Sequence, residues 1–210
     1  MQEDALKWNA RYQEGFMPNE PNPFVLEACE ILKRNFSFTD SKPPKALDIA
    51  CGNGRHSKIL AQMGFEVDGL DISCVALENL ANIPHITPIL ADLDTFTLPQ
   101  THYDVILDSF FLDRNLFDAI IKALKPNAML IFETFIDKSS HQPLNDKILY
   151  AGELEAVFSS KRGFQILHQS IYKQNRKDTH TINPAYQHIM RFIAQYKPCS
   201  QTHTNTTKSL

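Results

Sequence analysis

Acidic residues that end short apolar runs, together with one glycine turn, are the part of this sequence most able to bind a ligand. Asp48 lies within the apolar run 46–51, and Gly52-Asn53-Gly54 follows that run at once. Two glycines around an asparagine let the backbone turn sharply and let a ligand approach bare peptide. Asp71 ends the next apolar run, and a carboxylate there can accept hydrogen bonds from both hydroxyls of a ribose. These residues predict a pocket for a nucleoside-bearing cofactor.

Three secondary-structure elements must position this pocket. Residues 46–51 fit a buried parallel strand, residues 55–63 fit a helix, and residues 65–71 fit a second strand. Gly64 is well placed as the C-terminal cap of the helix. The free backbone N–H groups at the start of this helix face the space above the first strand, where they favour a carboxylate or a phosphate.

The same alternation of elements continues and predicts an α/β fold with a doubly wound, mostly parallel sheet of seven strands. The predicted strands are 46–51, 65–71, 86–91, 103–109, 128–135, 164–172 and 188–196, and the predicted helices are 23–34, 55–63, 74–81, 114–124 and 152–160. Asn22-Pro23 is typical of an N-cap followed by proline at the first helical position. The last two strands have no helix between them and predict a C-terminal antiparallel hairpin. We therefore expect an N-terminal helical cap segment (1–45), a sheet domain (46–197) and a disordered tail (198–210).

Composition excludes several classes of function. The 210 residues, 43% of them hydrophobic, suffice for one domain with its own core. A net charge of −3 argues against a nucleic-acid-binding protein, which would present a basic face. No apolar run approaches the ~20 residues of a membrane span, and the polar N-terminus is unlike a signal peptide. The four cysteines show no CxxC pair and no zinc-like spacing. We expect a cytoplasmic enzyme without a metal, as a monomer or weak homodimer.

The residues around the glycine turn resemble a known motif. Asp48-x-x-Cys51-Gly52-x-Gly54 resembles motif I of the class I S-adenosylmethionine-dependent methyltransferases, and residues 51–55 (CGNGR) are most similar to the tellurite-resistance and thiopurine branch. Ala50 replaces the first glycine of the common DxGxGxG pattern, and residues 124–128 (LKPNA) replace both glycines of the usual LKPGG turn. The resemblance implies a Rossmann-like methyltransferase domain over 46–197. It also implies S-adenosyl-L-methionine as cofactor and a small-molecule acceptor such as a thiol, a chalcogen oxyanion or a related metabolite.

The resemblance also implies roles for individual residues. Asp48 is expected near the methionine end of the cofactor, Asp71 at the ribose, and Asp92 at the adenine amino group, where Leu93 offers its backbone N–H. Ser109 follows the fourth strand, where the methyl group is expected. The full set of predicted cofactor-binding residues is Asp48, Ala50, Cys51, Gly52, Asn53, Gly54, Arg55, Asp71, Ile72, Ser73, Asp92, Leu93, Ser109, Trp8 and Tyr12.

Several of these residues have a structural interpretation as well. Asp48 can hold the glycine turn through backbone N–H groups, and Asp71 can cap the following helix, a role that Ser73 can also fill. Asp94 is the alternative to Asp92 as the residue that contacts the adenine amino group. Arg55 either reaches the cofactor carboxylate or an acceptor anion, or it is a solvated arginine of the first helical turn.

The N-terminal segment resembles the aromatic segment that folds over the cofactor site in related methyltransferases. Trp8, Arg11 and Tyr12 form a WxxRY pattern ahead of the residues 21–24 (PNPF). The only tryptophan of the chain needs a partner to bury it, and packing against the core is the alternative explanation.

No catalytic residue can be identified from the sequence, because a sulfonium methyl group is already activated. The protein mainly holds the acceptor in line with the methyl carbon and excludes water. A base is needed only if the acceptor arrives protonated. His56 and His180 are candidates for that role; a surface position is the alternative for His56, and a solvated hairpin turn is the alternative for His180.

Two other functions remain open at this point. Residues 52–57 nearly spell the GxGxxG pattern of dinucleotide-binding enzymes, although Ser57 occupies the third glycine position. The other alternative is a non-catalytic S-adenosylmethionine-binding protein or a partner subunit, which a damaged glycine turn or a missing ribose acid would have favoured.

Overall fold

The computed structural model describes residues 2–15, 18–38, 42–142, 145–174 and 187–198. Its strands are β1 Lys45–Ile49, β2 Glu66–Asp71, β3 Ile86–Leu90, β4 Tyr103–Ser109, β5 Leu124–Asp137, β6 Leu149–Tyr150, β7 Phe164–Lys173 and β8 His188–Tyr196. Its α-helices are α1 Gln2–Gln13, α2 Pro23–Asn35, α3 Arg55–Met63, α4 Cys74–Glu78, α5 Phe117–Ala123 and α6 Glu153–Val157, with 3₁₀ turns at Arg114–Leu116 and Ser160–Arg162.

The sheet has the predicted α/β, doubly wound architecture. Seven strands follow the order β3-β2-β1-β4-β5-β8-β7, and the short β6 pairs with β5 as an eighth strand. β1 lies between β2 and β4 with parallel pairing on both sides, so the strand order reverses between β1 and β4. β8 runs antiparallel to both β5 and β7 and forms the predicted C-terminal hairpin. In open sheets of this type, ligands bind beyond the carboxyl ends of the strands at the point of reversal.

The two faces of the sheet bury two hydrophobic clusters, because alternate residues of each buried strand point to opposite sides. On one face, Leu47 and Ile106 pack with residues of α5 and α6. On the other face, Ala46 and Val105 pack with residues of α2 and α3. The helices on both faces therefore leave the carboxyl edge of the sheet as the place where loops and helix N-termini gather.

Several predicted boundaries differ from the observed ones. β1 ends at Ile49 because Ala50 has a left-handed φ of 51° and already belongs to the turn. α4 is shorter than the predicted helix 74–81, since the Asn79 side chain donates to the carbonyls of Val75 and Ala76 at its C-terminal end. β5 begins at Leu124 and absorbs the turn predicted there.

The N-terminal segment contains one helix that the sequence analysis did not delimit. α1 lies against α4, and the Asn9 side chain accepts hydrogen bonds from the Ser73 hydroxyl at 2.7 Å and the Val75 N–H at 3.4 Å. α2 begins at Pro23, one residue after Asn22, as predicted. Asn22 occupies the predicted N-cap position, but its side-chain amide does not cap the helix and instead donates to Ser109 and Glu133.

Some predictions fall outside the described residues. They are the His180 candidate in the loop between β7 and β8, and all of the predicted disordered tail except Pro198. Within the described parts of the chain, no helix combines the length and apolar character needed to cross a bilayer. The same parts contain no group of three or more metal-ligating side chains.

Candidate functional site

The glycine turn between β1 and α3 is the centre of the candidate site. Gly52 and Gly54 have left-handed φ values of 58° and 72°, which cost a glycine nothing. A Cβ atom at Gly52 would overlap the Tyr12 hydroxyl, and a Cβ atom at Gly54 would overlap the Leu80 side chain. The turn therefore requires glycine at both positions, and it presents bare backbone at the carboxyl edge of the sheet.

Asp48 lies beneath this turn and is buried. Its carboxylate accepts a 2.6 Å hydrogen bond from the Ser57 hydroxyl in the first turn of α3. Burial raises the pKa of Asp48 to about 7, although the hydrogen bonds from Ser57 oppose that rise. Asp48 thus positions α3 relative to β1.

Asp71 ties the glycine turn to the end of β2. One carboxylate oxygen accepts from the Gly52 N–H and the other accepts from the Ser73 N–H, both at 2.8 Å. Ser73 itself caps α4 by accepting from the Ala76 N–H. A carboxylate oxygen can accept two hydrogen bonds, so both oxygens of Asp71 retain capacity for the hydroxyls of a ribose.

α1 covers this edge of the sheet. The Tyr12 hydroxyl contacts Gly52, and burial together with the charge of Asp71 raises the pKa of Tyr12. The Trp8 and Tyr12 rings lie 6.2 Å apart, and the Arg11 guanidinium lies 5.1 Å from the centre of the Trp8 indole. Any ligand on the glycine turn must therefore touch or displace the side chain of Tyr12. That Trp8 and Tyr12 contact a cofactor stays a prediction.

The segment before α2 covers the first turn of α3. The Asn53 side-chain amide donates to the carbonyl of Pro18 and to the side chain of Asn19. The Arg55 guanidinium donates to the carbonyl of Glu20 at 3.4 Å, and Arg55 is buried. The interpretation of Arg55 as a solvated arginine is therefore wrong, and its guanidinium is available to a ligand only from within the site.

Asn22 is the centre of a partly buried polar network that lies beyond the glycine turn, at β4, β5 and β8. Its side-chain amide donates to the Ser109 hydroxyl at 3.0 Å and to Glu133 at 2.9 Å. Its backbone N–H donates to Nε2 of His56 at 3.2 Å. Arg191 of β8 donates to the second oxygen of Glu133 at 3.1 Å. The network joins β4, β5, β8 and α3 at the carboxyl edge.

Glu133 and Arg191 are not among the residues predicted from the sequence. Each is an isolated charged residue within an apolar strand, and that placement is the signal that could have found them. Glu133 is 1% exposed, and burial raises its pKa despite the contact with Arg191. The Arg191 guanidinium also lies 4.2 Å from the centre of the Tyr172 ring, so its position is fixed by both charge and stacking.

His56 is placed as a positioning residue. Burial and the neighbouring Arg55 lower the pKa of His56 to about 3, so the imidazole is neutral at physiological pH. Its Nε2 atom is already occupied by the Asn22 N–H. A general base works best with a pKa near the working pH and with a free nitrogen, so this arrangement favours a structural role.

The predicted adenine side lies after β3. Asp92 is half-buried, and its carboxylate accepts from the N–H of Asp94, which is exposed. Leu93 packs partly against the core cluster that contains Ile49. This placement favours Asp92 over Asp94, but the adenine contact itself stays a prediction. Of the other predicted residues, Cys51 is buried and Ile72 is half-buried beside Asp71.

The turn after β4 is strained. Phe110 has a left-handed φ of 61°, and its N–H donates to the Glu133 carbonyl at 2.7 Å. Its ring lies 5.1 Å from that of Phe135. A bulky residue in this conformation persists only where the surrounding structure enforces it, and such residues cluster at functional sites. The turn thus places Ser109 and the two phenylalanines, Phe110 and Phe111, beside the polar network.

The chain is similar to a known protein family in sequence and to solved structures in fold. A family model described as "Methyltransferase domain" matches residues 24–194. No curated protein sequence matches the chain. The chain is similar to the structure titled "Conversion of a Disulfide Bond into a Thioacetal Group during Echinomycin Biosynthesis", with 18% identity, a TM-score of 0.62 and 94% of each chain covered.

Two further solved structures share the fold at low identity. One is Burkholderia thailandensis 1,6-didemethyltoxoflavin-N1-methyltransferase with bound 1,6-didemethyltoxoflavin and S-adenosylhomocysteine, at 14% identity and a TM-score of 0.66, covering 93% of this chain and 87% of that one. The other is TehB from Haemophilus influenzae, at 18% identity and a TM-score of 0.65, covering 90% of this chain and 67% of that one.

Proposed function

The chain belongs to the methyltransferase domain family, and on that premise we propose that it transfers the methyl group of S-adenosylmethionine to a small-molecule acceptor. The protein is a methyltransferase enzyme, and S-adenosylmethionine is its cofactor. The observation that most strongly supports the cofactor site is the hydrogen bond from the Gly52 N–H to Asp71, which joins the glycine turn to an acid at the end of β2.

The described residues fit the parts of the cofactor. The backbone of Gly52 and Gly54 allows close approach, and Asp71 offers unused acceptor capacity to the ribose. Asp92 and Leu93 lie at the end of β3, where the adenine is expected. The cofactor supplies a methyl group that is already activated by the positive sulfur. The protein therefore has to orient the acceptor and exclude water.

We assign to the polar network around Asn22 the role of orienting the acceptor. It holds Ser109 of β4, Glu133 of β5 and Arg191 of β8 close together. Glu133 and Arg191 lie on the side of β4 that faces away from β1 and the glycine turn. α1 and the segment 18–22 cover the same edge and keep water from it. An acceptor that arrives as an anion needs no base, which agrees with the lack of a free neutral histidine nitrogen at His56.

We assign the acceptor to the thiols, chalcogen oxyanions and related metabolites. Support comes from the motif at residues 51–55 and from the fold shared with TehB, which suggest the tellurite-resistance branch. The guanidinium groups of Arg55, which is buried, and of Arg191, which is half-buried, add positive charge to this edge of the sheet. Profiling of methylated products formed by the purified protein from a metabolite extract is the experiment that identifies the acceptor. A protein that binds the cofactor but methylates nothing would instead be the non-catalytic alternative.

We also retain the predictions of a cytoplasmic location, of a monomer or weak homodimer, and of no nucleic-acid partner. The described cysteines, Cys29, Cys51 and Cys74, are free thiols. Free thiols are usual where the compartment is reducing. Size-exclusion chromatography with light scattering tests the oligomeric state.

Calorimetric titration distinguishes the proposed cofactor from a dinucleotide. We expect S-adenosylmethionine and S-adenosylhomocysteine to bind and NAD to give no measurable heat, because the buried Asp48 beneath the turn would repel a pyrophosphate. Tight binding of NAD without binding of the sulfonium ligand would overturn the proposed function.

Tryptophan fluorescence tests whether α1 closes over the cofactor. Trp8 is the only tryptophan, so its emission reports this helix alone. We expect S-adenosylhomocysteine to shift the emission and to slow proteolysis within α1, since covering segments come from the less stable parts of a protein. Deletion of residues 1–15 should lower affinity more than it lowers the melting temperature.

An Asn9→Ala variant provides the matched control for this experiment. It removes the hydrogen bonds that hold α1 to α4 and leaves Trp8 and Tyr12 in place. Without ligand, α1 of this variant should be cut faster than in the wild type, and added ligand should restore part of the protection. An emission spectrum that ignores the ligand, with normal binding after the deletion, would show that α1 only packs against the sheet.

A further inference from the structure

Asp108 is a buried acid that none of the roles above uses. It is the penultimate residue of β4, it is 2% exposed, and it pairs in register with Ile49 at the end of β1. Its carboxyl group accepts a hydrogen bond from the Phe111 N–H. Its Oδ1 atom has no hydrogen-bond partner among the described residues. The side chain therefore lies at the strand reversal with one oxygen unused.

An unused carboxylate oxygen in this position requires an explanation. Ile106 precedes Asp108 by two residues on the same face of β4, and the cluster on that face is apolar, with Ile49, Leu112 and Phe132 among its members. Buried carboxylates normally find partners within the protein, because desolvation of an unpaired charge is costly. Where one does not, a bound ligand is the natural source of the missing partner.

The other deeply buried acids of the chain do have such partners. Asp48 is bonded to Ser57, Glu133 to Arg191, and Glu153 to Arg114. None of the ion pairs between described residues includes Asp108. Burial raises the pKa of Asp108 well above its usual range, and the nearby negative charge of Asp48 raises it further. Asp48 and Asp108 are offset by one residue in the pairing of β1 with β4, so their side chains leave opposite faces of the sheet. Asp108 therefore lacks a cation among the described residues, and its negative charge is disfavoured until a cation binds beside it.

The position of Asp108 indicates which part of the cofactor lies nearest to it. The glycine turn follows β1, and the acceptor-side network begins at Ser109, the residue after Asp108. The atom that carries the methyl group has to lie between the cofactor turn and the acceptor side, which is where β1 and β4 are neighbours. That atom is the sulfonium sulfur. Transfer removes its positive charge, because the electron pair of the broken C–S bond stays on the sulfur.

We propose that Asp108 recognises the sulfonium charge, so that the protein binds S-adenosylmethionine more tightly, relative to S-adenosylhomocysteine, than it would without Asp108. This inference rests on the proposed function. It gives the enzyme a means to release its product, since the attraction to Asp108 is lost when the methyl group leaves.

The test compares the wild type with Asp108→Asn, which keeps the shape of the side chain and removes its charge. Calorimetry measures the Kd values for S-adenosylmethionine, S-adenosylhomocysteine and sinefungin, an analogue that carries a protonated amine in place of the sulfonium centre. We expect the substitution to weaken S-adenosylmethionine and sinefungin by about tenfold, or ~1.4 kcal/mol, and to change the Kd of S-adenosylhomocysteine by less than about twofold.

Asp113→Asn is the matched control. Asp113 lies in the same turn, but it is less buried and its carboxylate already accepts from the Asn115 N–H. Asparagine is as good an N-cap as aspartate, so the fold should not change. The charge of Asp113 contributes to the raised pKa of Asp108, so we expect the ratio of Kd values to change by much less than in Asp108→Asn. Retained affinity for S-adenosylhomocysteine shows that the Asp108→Asn site is folded.

The outcomes separate this inference from the proposed function. Equal weakening of all three ligands by Asp108→Asn would place Asp108 at the adenosine or the amino-acid part and would overturn the inference alone. Unchanged affinity for all three would do the same. A wild-type protein that binds none of the three ligands would overturn the proposed function and the inference with it.

Discussion

Replacement of Asp71 by alanine is expected to weaken the binding of S-adenosylmethionine by about a hundredfold. Hydrogen bonds to a charged group contribute ~1.5–3 kcal/mol each, and the loss of two at the lower end corresponds to about two decades in Kd. The same carboxylate accepts from the N–H groups of Gly52 and Ser73. Its loss therefore also loosens the glycine turn that the cofactor contacts. Calorimetric titration of the variant measures the effect directly.

Asp68→Asn is the matched control for Asp71. Asp68 lies on the same strand and is also buried, but its partners are Lys45 and Tyr103, away from the carboxyl edge of the sheet. Asp68→Asn should lower the free energy of unfolding and leave cofactor affinity unchanged, whereas Asp71→Ala should mainly lower affinity. If Asp71→Ala bound the cofactor as the wild type does, the ribose would have to lie elsewhere.

The cofactor half of the site could be predicted from the sequence, because the residues that form it lie close together along the chain. A strand, a glycine turn, a helix and a second strand ending in an acid follow one another over residues 46–71, and each has its own signal. The structure brings Gly52 and Asp71 together at 2.8 Å. The predicted strand 46–51 extends beyond the observed end of β1 at Ile49. Ala50 has a left-handed φ, which is unusual for alanine and could not be predicted from the residue type.

The acceptor half could not be predicted from the sequence, because the residues that form it are far apart along the chain. Glu133 and Arg191 become partners only through the antiparallel register of β5 and β8, in which they are direct neighbours. Asn22 carries a strong local signal for a helix cap, yet its amide binds side chains of β4 and β5 instead. Tertiary partners overrode a correct local pattern there. The two-residue β6 is too short to leave any periodicity.

The N-terminal segment was predicted to be helical, but the bounds of α1 were not predicted, for a related reason. Its sequence is mostly polar, Leu6 is exposed, and only one face carries Trp8 and Tyr12. An isolated helix of this length is marginal in water, so packing rather than propensity determines whether it forms. The WxxRY pattern indicated a covering segment, but nothing in it indicated the contact between Asn9 and α4.

Gly54→Ala is expected to lower the free energy of unfolding by about 2–5 kcal/mol. The left-handed φ of 72° costs a non-glycine residue ~1–2 kcal/mol. The added Cβ would also overlap the buried Leu80 side chain, and overpacking of this kind costs ~1–3 kcal/mol. The two terms act at the same atom, so the total is their sum unless the turn moves. Urea unfolding followed by circular dichroism measures the total.

Gly152→Ala separates the two terms, because Gly152 shares the left-handed φ and the position before a helix with Gly54 but is not crowded. Both residues directly precede a helix and both have a left-handed φ, 81° in the case of Gly152. No atom lies within 4 Å of a Cβ added at Gly152. This variant should therefore lose only the ~1–2 kcal/mol of backbone strain. Equal losses in the two variants would mean that Leu80 yields without cost and that the turn needs glycine at residue 54 for its backbone alone. A larger loss at Gly54 would show that close packing of Leu80 beneath the turn helps to fix the loop on which the cofactor rests.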